Sequence, residues 1–174
     1  MPLAVTHVVS TVILVDIYRD YILKDRKLFS LHTIFIAGIF GLLPDTDMIF
    51  GMVADIFRFK LPLLLQHGGI THTPLFALVF LIPGLILWNF SKKKYAVYCF
   101  VGVFGMMWHL FLDWLLGGGA YEGIMWLYPF SMHQWKLHLL LNLGVHNIPM
   151  ALDAIILLLW LWHEEEKHKI SDFI

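Results

Sequence analysis

The chain has 174 residues, 59% of them hydrophobic and 14% charged, with a mean hydropathy of +0.74. So small a charged fraction cannot cover a soluble globule of that apolarity, which excludes a cytosolic or secreted globular domain and makes the bilayer the natural solvent. A formal net charge of −1 gives no basic surface for nucleic acid. The single cysteine, Cys99, excludes an intrachain disulfide and a thiolate metal cluster.

At about 20 residues per membrane helix, the length admits about four to six spans and one integral-membrane domain, 1–174. Pro2 to Ile17 is the first apolar stretch. It lacks the basic leader of a signal peptide and carries His7 and Asp16, so it is expected to stay in the mature protein as span one, with Asp16 solvated at its inner end. The polar segment Tyr18 to Lys27 follows. Span two runs from about Leu28 to Leu43 and stops at Pro44, because proline breaks helix propagation. From Asp45 to His72, carboxylates, aromatics and short apolar runs alternate, as expected of a loop carrying one interfacial helix. Thr73 to Phe90 is uncharged, giving span three with Pro83 as its kink. After Lys92-Lys93-Lys94, Tyr95 to Leu116 forms span four, which ends where Gly117-Gly118-Gly119 removes helix propensity. An aromatic loop, Tyr121 to Lys136, leads to the last apolar block. That block, Leu137 to Trp162, reads as span five, broken near Gly144 and Pro149 and left by Glu164-Glu165-Glu166. The expected fold class is all-α: a polytopic membrane helix bundle with about five transmembrane helices plus an interfacial helix.

Charge orients this bundle. Arg19, Lys24, Arg26, Lys27, Lys92, Lys93, Lys94, Lys167 and Lys169 share one side and leave Arg58, Lys60 and Lys136 on the other. The positive-inside rule makes the first side cytoplasmic, with the N-terminus outside and the C-terminus inside.

Sorted by this topology, His7, His67, His72, His109, His133, His138 and His146 map to the outer half, while His32, His163 and His168 lie toward the inside. Asp45, Asp47, Asp113 and Asp153 join the outer group. An ionisable side chain within a membrane is costly unless paired, hydrated or bound to metal, so such gathering marks a site. His109 and Asp113 are four apart on a helix and share a face, as do His146 and Asp153 seven apart. Asp45 and Asp47 flank one turn residue, and His67 and His72 flank a glycine pair. This nitrogen and oxygen set suits Zn²⁺, with Mn²⁺ or Fe²⁺ as alternatives, and carboxylates can bridge two ions. Each signal alone has an ordinary reading: a packing histidine, an Asx turn, or a hydrogen-bonded pair between helices. Their common side is what favours a site.

The same residues carry a resemblance. Thr6-His7, Leu43-Pro44-Asp45-Thr46-Asp47, His67-Gly68-Gly69-Ile70-Thr71-His72-Thr73, His109-Leu110-Phe111-Leu112-Asp113 and Leu127-Tyr128-Pro129-Phe130 resemble, in order, the motifs of the membrane-bound metal-dependent hydrolase family, also called the YdjM or LexA-binding inner-membrane family. Gly68 stands where relatives commonly carry arginine, and Thr73 where they carry serine. The resemblance implies a prokaryotic inner-membrane protein with His7, Asp45, His72, His109 and Asp113 as metal ligands and Asp47 and His67 close behind. The ligand order is also distantly similar to that of zinc-dependent phospholipase C, which holds a cluster of ions, so one to three ions are expected.

The expected function is that of a metal-dependent hydrolase at the outer membrane interface, acting on a membrane lipid or lipid-linked ester, most plausibly a phosphoester. Asp47 or His67 is the general base or an orienting group. Trp108, Trp114, Trp126, Tyr121 and Tyr128 either line an acyl-chain entry or pack as an aromatic belt. Two other classes stay open: an ion or metal transporter, and a non-catalytic membrane protein with a structural metal.

Overall fold

The computed structural model describes residues 4–25, 27–117, 123–144 and 149–168. It is all-helical, and among these residues the only β pairing is one isolated bridge, Ile124 to Trp135. Helix α1 is Ala4–Ile17 and continues as a wider turn, Tyr18–Leu23, closed by Lys24 in the left-handed conformation. Helix α2, Leu31–Leu42, stops before Pro44 as expected. The chain then turns through a short 3₁₀ segment, Leu43–Thr46, directly into α3, Asp47–Phe57. Proline is tolerated there because its missing N–H falls in the first turn, where no intrahelical partner is needed. Two more 3₁₀ turns, Leu63–Leu65 and Ile70–His72, lead to α4, Pro74–Asn89. Helix α5 is Lys93–Leu116, α6 the single turn Leu139–Asn142, and α7 Pro149–His168.

Helix α3 falls in the segment where one helix was expected after span two, and α6 ends at Asn142 before α7 starts at Pro149. Helix α7 runs through the glutamate run to His168, further than Trp162. Among the described residues two continuous stretches, Leu31–Phe57 and Lys93–Leu116, are long and apolar enough to cross a membrane, while α4 is apolar but shorter. The helices pack in series, α4 on α5, α5 on α2, α2 on α1 and α1 on α7, with α1 also touching α5.

The packing explains the composition. The cluster of buried apolar side chains is small, Val15, Ile34, Ala37, Val97 and Val101. Large apolar residues such as Phe35, Ile39, Val79, Ile82, Leu85 and Leu158 are exposed, which a water-soluble monomer avoids on this scale. The buried set is instead rich in polar groups: Thr6, His7, Thr11, Asp16, Arg19, Asp47, Thr71, His72, His109 and Asp113. Close approach of α1, α2 and α5 makes this possible. A Cβ added to Gly41 would lie 2.7 Å from Thr11 Oγ1 and 3.1 Å from the His7 carbonyl oxygen; one added to Gly105 would lie 2.7 Å from the Ala37 carbonyl oxygen. Small residues at such crossings let helix backbones meet where lipid supplies no hydrophobic drive.

Asp16 departs from expectation. It is 4% exposed and pairs with Arg19 at 2.5 Å, and Arg19 also reaches Asp20 at 2.7 Å. The helix runs on past Ile17, so Arg19 lies one turn after Asp16 and folds back onto it instead of entering a solvated loop.

Candidate metal centre

Four stretches of the chain converge on one buried point. Helix α1 brings His7, the 3₁₀ turn after α2 brings Asp45, the turn before α4 brings His72, and the last turns of α5 bring His109 and Asp113. His7, His72, His109 and Asp113 are fully buried, and the Asp45 side chain is 11% exposed. His72 Nε2 lies 3.4 Å from His109 Nε2, and both face the same two carboxylate oxygens. Asp113 Oδ2 is 3.3 Å from His109 and 3.6 Å from His72; Asp45 Oδ1 is 3.5 Å from His109 and 3.6 Å from His72. These separations are long for charge-assisted hydrogen bonds, which run about 2.7–2.9 Å. They match the donor–donor spacing of about 3.3–3.4 Å that a tetrahedral ion imposes when its ligands sit about 2.0–2.1 Å away. Asp45 Oδ1, both Asp113 oxygens and both ring nitrogens of His7 are buried without a hydrogen-bond partner. Buried polar atoms are normally satisfied, so these donors fit an ion.

The surrounding contacts fix the rings. His109 Nδ1 donates to the Gly41 carbonyl at 2.8 Å, which leaves Nε2 as the lone-pair nitrogen facing Asp113. His72 Nδ1 faces Asp47 Oδ2 at 3.0 Å, Thr71 Oγ1 donates to that same oxygen at 2.6 Å, and His67 Nδ1 faces Asp47 Oδ1 at 2.8 Å. A ligating histidine usually gives its other N–H to a carboxylate or carbonyl in this way. Burial disfavours the charged form of His72, but the neighbouring Asp45 and Asp47 carboxylates outweigh it and hold the ring above the ordinary histidine pKa. His7 stacks on His109 with centroids 3.8 Å apart, and its Nε2 is 3.3 Å from Asp113 Oδ1.

All five residues expected as ligands thus meet, with Asp47 and His67 beside them. Three groups offer donor atoms near enough for an ion: His7 with Asp45 and His109, Asp45 with His67 and His72, and His72 with His109 and Asp113. His133 stands exposed against Trp135, and His138 is bound through its backbone to Trp114; neither is in these groups. His146 and Tyr121 lie outside the described residues. Asp153 of α7 accepts a hydrogen bond from Thr6, the neighbour of His7. Trp108 donates to Ser10 of α1 at 2.9 Å and stacks with Phe104 and Phe111, and Trp114 packs on Trp126. Two contributors were not singled out in sequence. Thr71 lies within a motif, directly before His72. Gly41 acts through its carbonyl, which no side-chain pattern marks.

Fold and site together define an all-helical protein with an apolar exterior and a buried histidine–aspartate cluster at one end of its central helices. The chain belongs to the YdjM inner membrane protein family, whose family model matches residues 1–171. No curated protein and no solved structure matches it, and the expected likeness to phospholipase C is not shown by these comparisons.

Proposed function

We propose that this inner-membrane protein is a metal-dependent hydrolase that acts at the outer membrane interface on a lipid or lipid-linked ester, with a phosphoester the leading substrate class. The observation that carries the reading is the meeting of Asp45 Oδ1, His72 Nε2, His109 Nε2 and Asp113 Oδ2 at 3.3–3.6 Å. In this reading these four side chains hold a divalent ion, zinc by preference, with His7 beside it. The ion, when bound, polarises the scissile group and brings water toward neutral acidity. Asp47 holds His72 in its tautomer and is a positioning residue. His67, the most exposed of the cluster with 28% of its side chain accessible, would take the proton that the attacking water loses and return it to the leaving oxygen. The membrane disposition supports the substrate class: the cluster closes the end of α5 at Gly117, where a helix leaves the bilayer, so lipid headgroups are the nearest esters. Five spans are assigned to α1 with its wide turn, α2, α4, α5 and α7, with α3 lying at the interface and the lysine-rich Lys92–Lys94 end cytoplasmic.

The test is metal analysis of the purified protein beside His109→Ala and Asp113→Ala, followed by lipid analysis of membranes incubated with wild type and Asp113→Ala. Bound transition metal lost in both variants, with a lipid consumed only by wild type, is expected. Wild type purified without chelator and free of stoichiometric metal overturns the reading.

A further inference from the structure

Away from the cluster, residues of α1 and α5 line an open apolar groove of about 780 Å³, within the about 300–1,000 Å³ range of sites that hold sizeable ligands. One wall is the stripe Leu14, Tyr18 and Ile22 of α1 and its wide turn; the other is Val97, Phe100, Val101, Phe104 and Trp108 of α5. Both stripes follow helical spacing, so each is one continuous face. From Val97 to Trp108 the groove runs about 16 Å at 1.5 Å per residue, about half of the roughly 30 Å hydrocarbon core. That is the depth of one leaflet.

The two ends differ. At the far end Trp108 is tied to Ser10, and none of the metal-cluster residues lines the groove. At the near end Leu28, Phe29 and Trp88 form the rim. Lys27 immediately precedes Leu28, and Lys93 Nζ sits 5.6 Å from the centre of the Trp88 ring. Lys92 and Lys94 flank Lys93, and all of these lysines are exposed. On this rim Asp20 is engaged by Arg19, and Asp25 accepts the backbone N–H groups of Lys27 and Leu28. The rim is therefore net positive.

We propose that this groove binds one anionic phospholipid of the leaflet opposite the metal cluster, with an acyl chain between α1 and α5 and the phosphate headgroup between Lys27 and Lys93. An apolar channel one leaflet deep with cations at its headgroup end matches that molecule in both charge and length. The site is separate from the proposed hydrolase centre and stands or falls independently of it.

Full-length protein is purified in detergent and equilibrated with mixed micelles holding equal phosphatidylglycerol and phosphatidylcholine, and retained lipid is counted by native mass spectrometry. Wild type is expected to keep one phosphatidylglycerol in preference to phosphatidylcholine. Lys27→Gln and Lys93→Gln, both on the exposed rim, are expected to lower that preference by about fivefold each. Leu14→Trp, which fills the groove, is expected to lose the lipid of either headgroup while keeping wild-type metal content. Retention of the two lipids in proportion to the mixture by wild type overturns the proposal, as does unchanged preference in both lysine variants. An unchanged lipid count in folded Leu14→Trp overturns the groove as its location.

Discussion

Asp47 separates a metal centre from a set of mutually hydrogen-bonded side chains. It is 1% exposed, with Oδ1 taken by His67 at 2.8 Å and Oδ2 shared by Thr71 at 2.6 Å and His72 at 3.0 Å. Asp47→Asn keeps the shape and removes one acceptor and the charge. If the amide nitrogen faces His72, that ring must move its proton to Nε2, the atom that looks at Asp45 and Asp113. If it faces His67, the tautomer of His72 survives but its basicity falls with the lost charge. Loss of such an outer partner costs about 10–100-fold in metal affinity, or about 1.4–2.7 kcal/mol. The assay is competition for Zn²⁺ against a chromogenic chelator on detergent-purified protein, with Asp113→Ala as the variant that loses a ligand outright. Affinity weakened by Asp47→Asn at unchanged helicity is expected. Equal zinc affinity in Asp47→Asn and wild type would refute the orienting role.

Other expectations follow from the packing and the charges. Gly41→Ala, whose new methyl group meets Thr11 Oγ1 at 2.7 Å, should lose about 1–3 kcal/mol in thermal or denaturant unfolding. Gly51→Ala on α3 meets nothing within 4 Å and should gain about 0.5–1 kcal/mol; equal effects of the two would refute the close crossing. Arg19→Leu removes the buried cation that both Asp16 and Asp20 engage and should cost about 3 kcal/mol; a neutral variant would refute the buried pairing. Asp45→Asn should lower the metal retained per chain, read by plasma emission on dialysed protein, and a full wild-type complement would refute Asp45 as a ligand. In a Cys99→Ala background, Lys92→Cys should react with an impermeant maleimide only from the cytoplasmic side, and labelling from outside would overturn the orientation.

The site was more legible in the sequence than its supports. Histidines and aspartates in an apolar chain carry a cost that makes them conspicuous, and the four-residue step from His109 to Asp113 fixes a shared helix face whatever surrounds it. Side of the membrane, however, is only one coordinate. His133 and His138 were assigned to the same side as His7, but they lie on the segment after α5 and outside the cluster, because topology gives depth and not direction around the bundle. Asp16 failed for a related reason. Its polar neighbours Arg19 and Asp20 read as the start of a solvated loop, whereas the helix continues to Leu23 and turns them into a buried pair. Gly41 was invisible because its contribution is a carbonyl and an absent side chain.

The surplus of donors bears on what the cluster is for. A structural zinc site is closed by four ligands, and a catalytic one keeps a position open. Asp45, His72, His109 and Asp113 are enough in number to fill four positions, and an ion held by all four would be a staple between the turn after α2, the turn before α4, and α5. Yet His7 and His67 stand within reach of the same atoms, and Asp45, His72 and His109 each belong to two of the three donor groups. A staple gains nothing from an extra buried histidine such as His7, which costs desolvation and leaves polar atoms to satisfy. Both nitrogens of His7 are in that condition, although a phenylalanine would pack on His109 at the same 3.8 Å without the cost. Retaining such a group is reasonable where donors are exchanged during turnover or shared between two ions, and both circumstances belong to a reaction centre more than to a clamp.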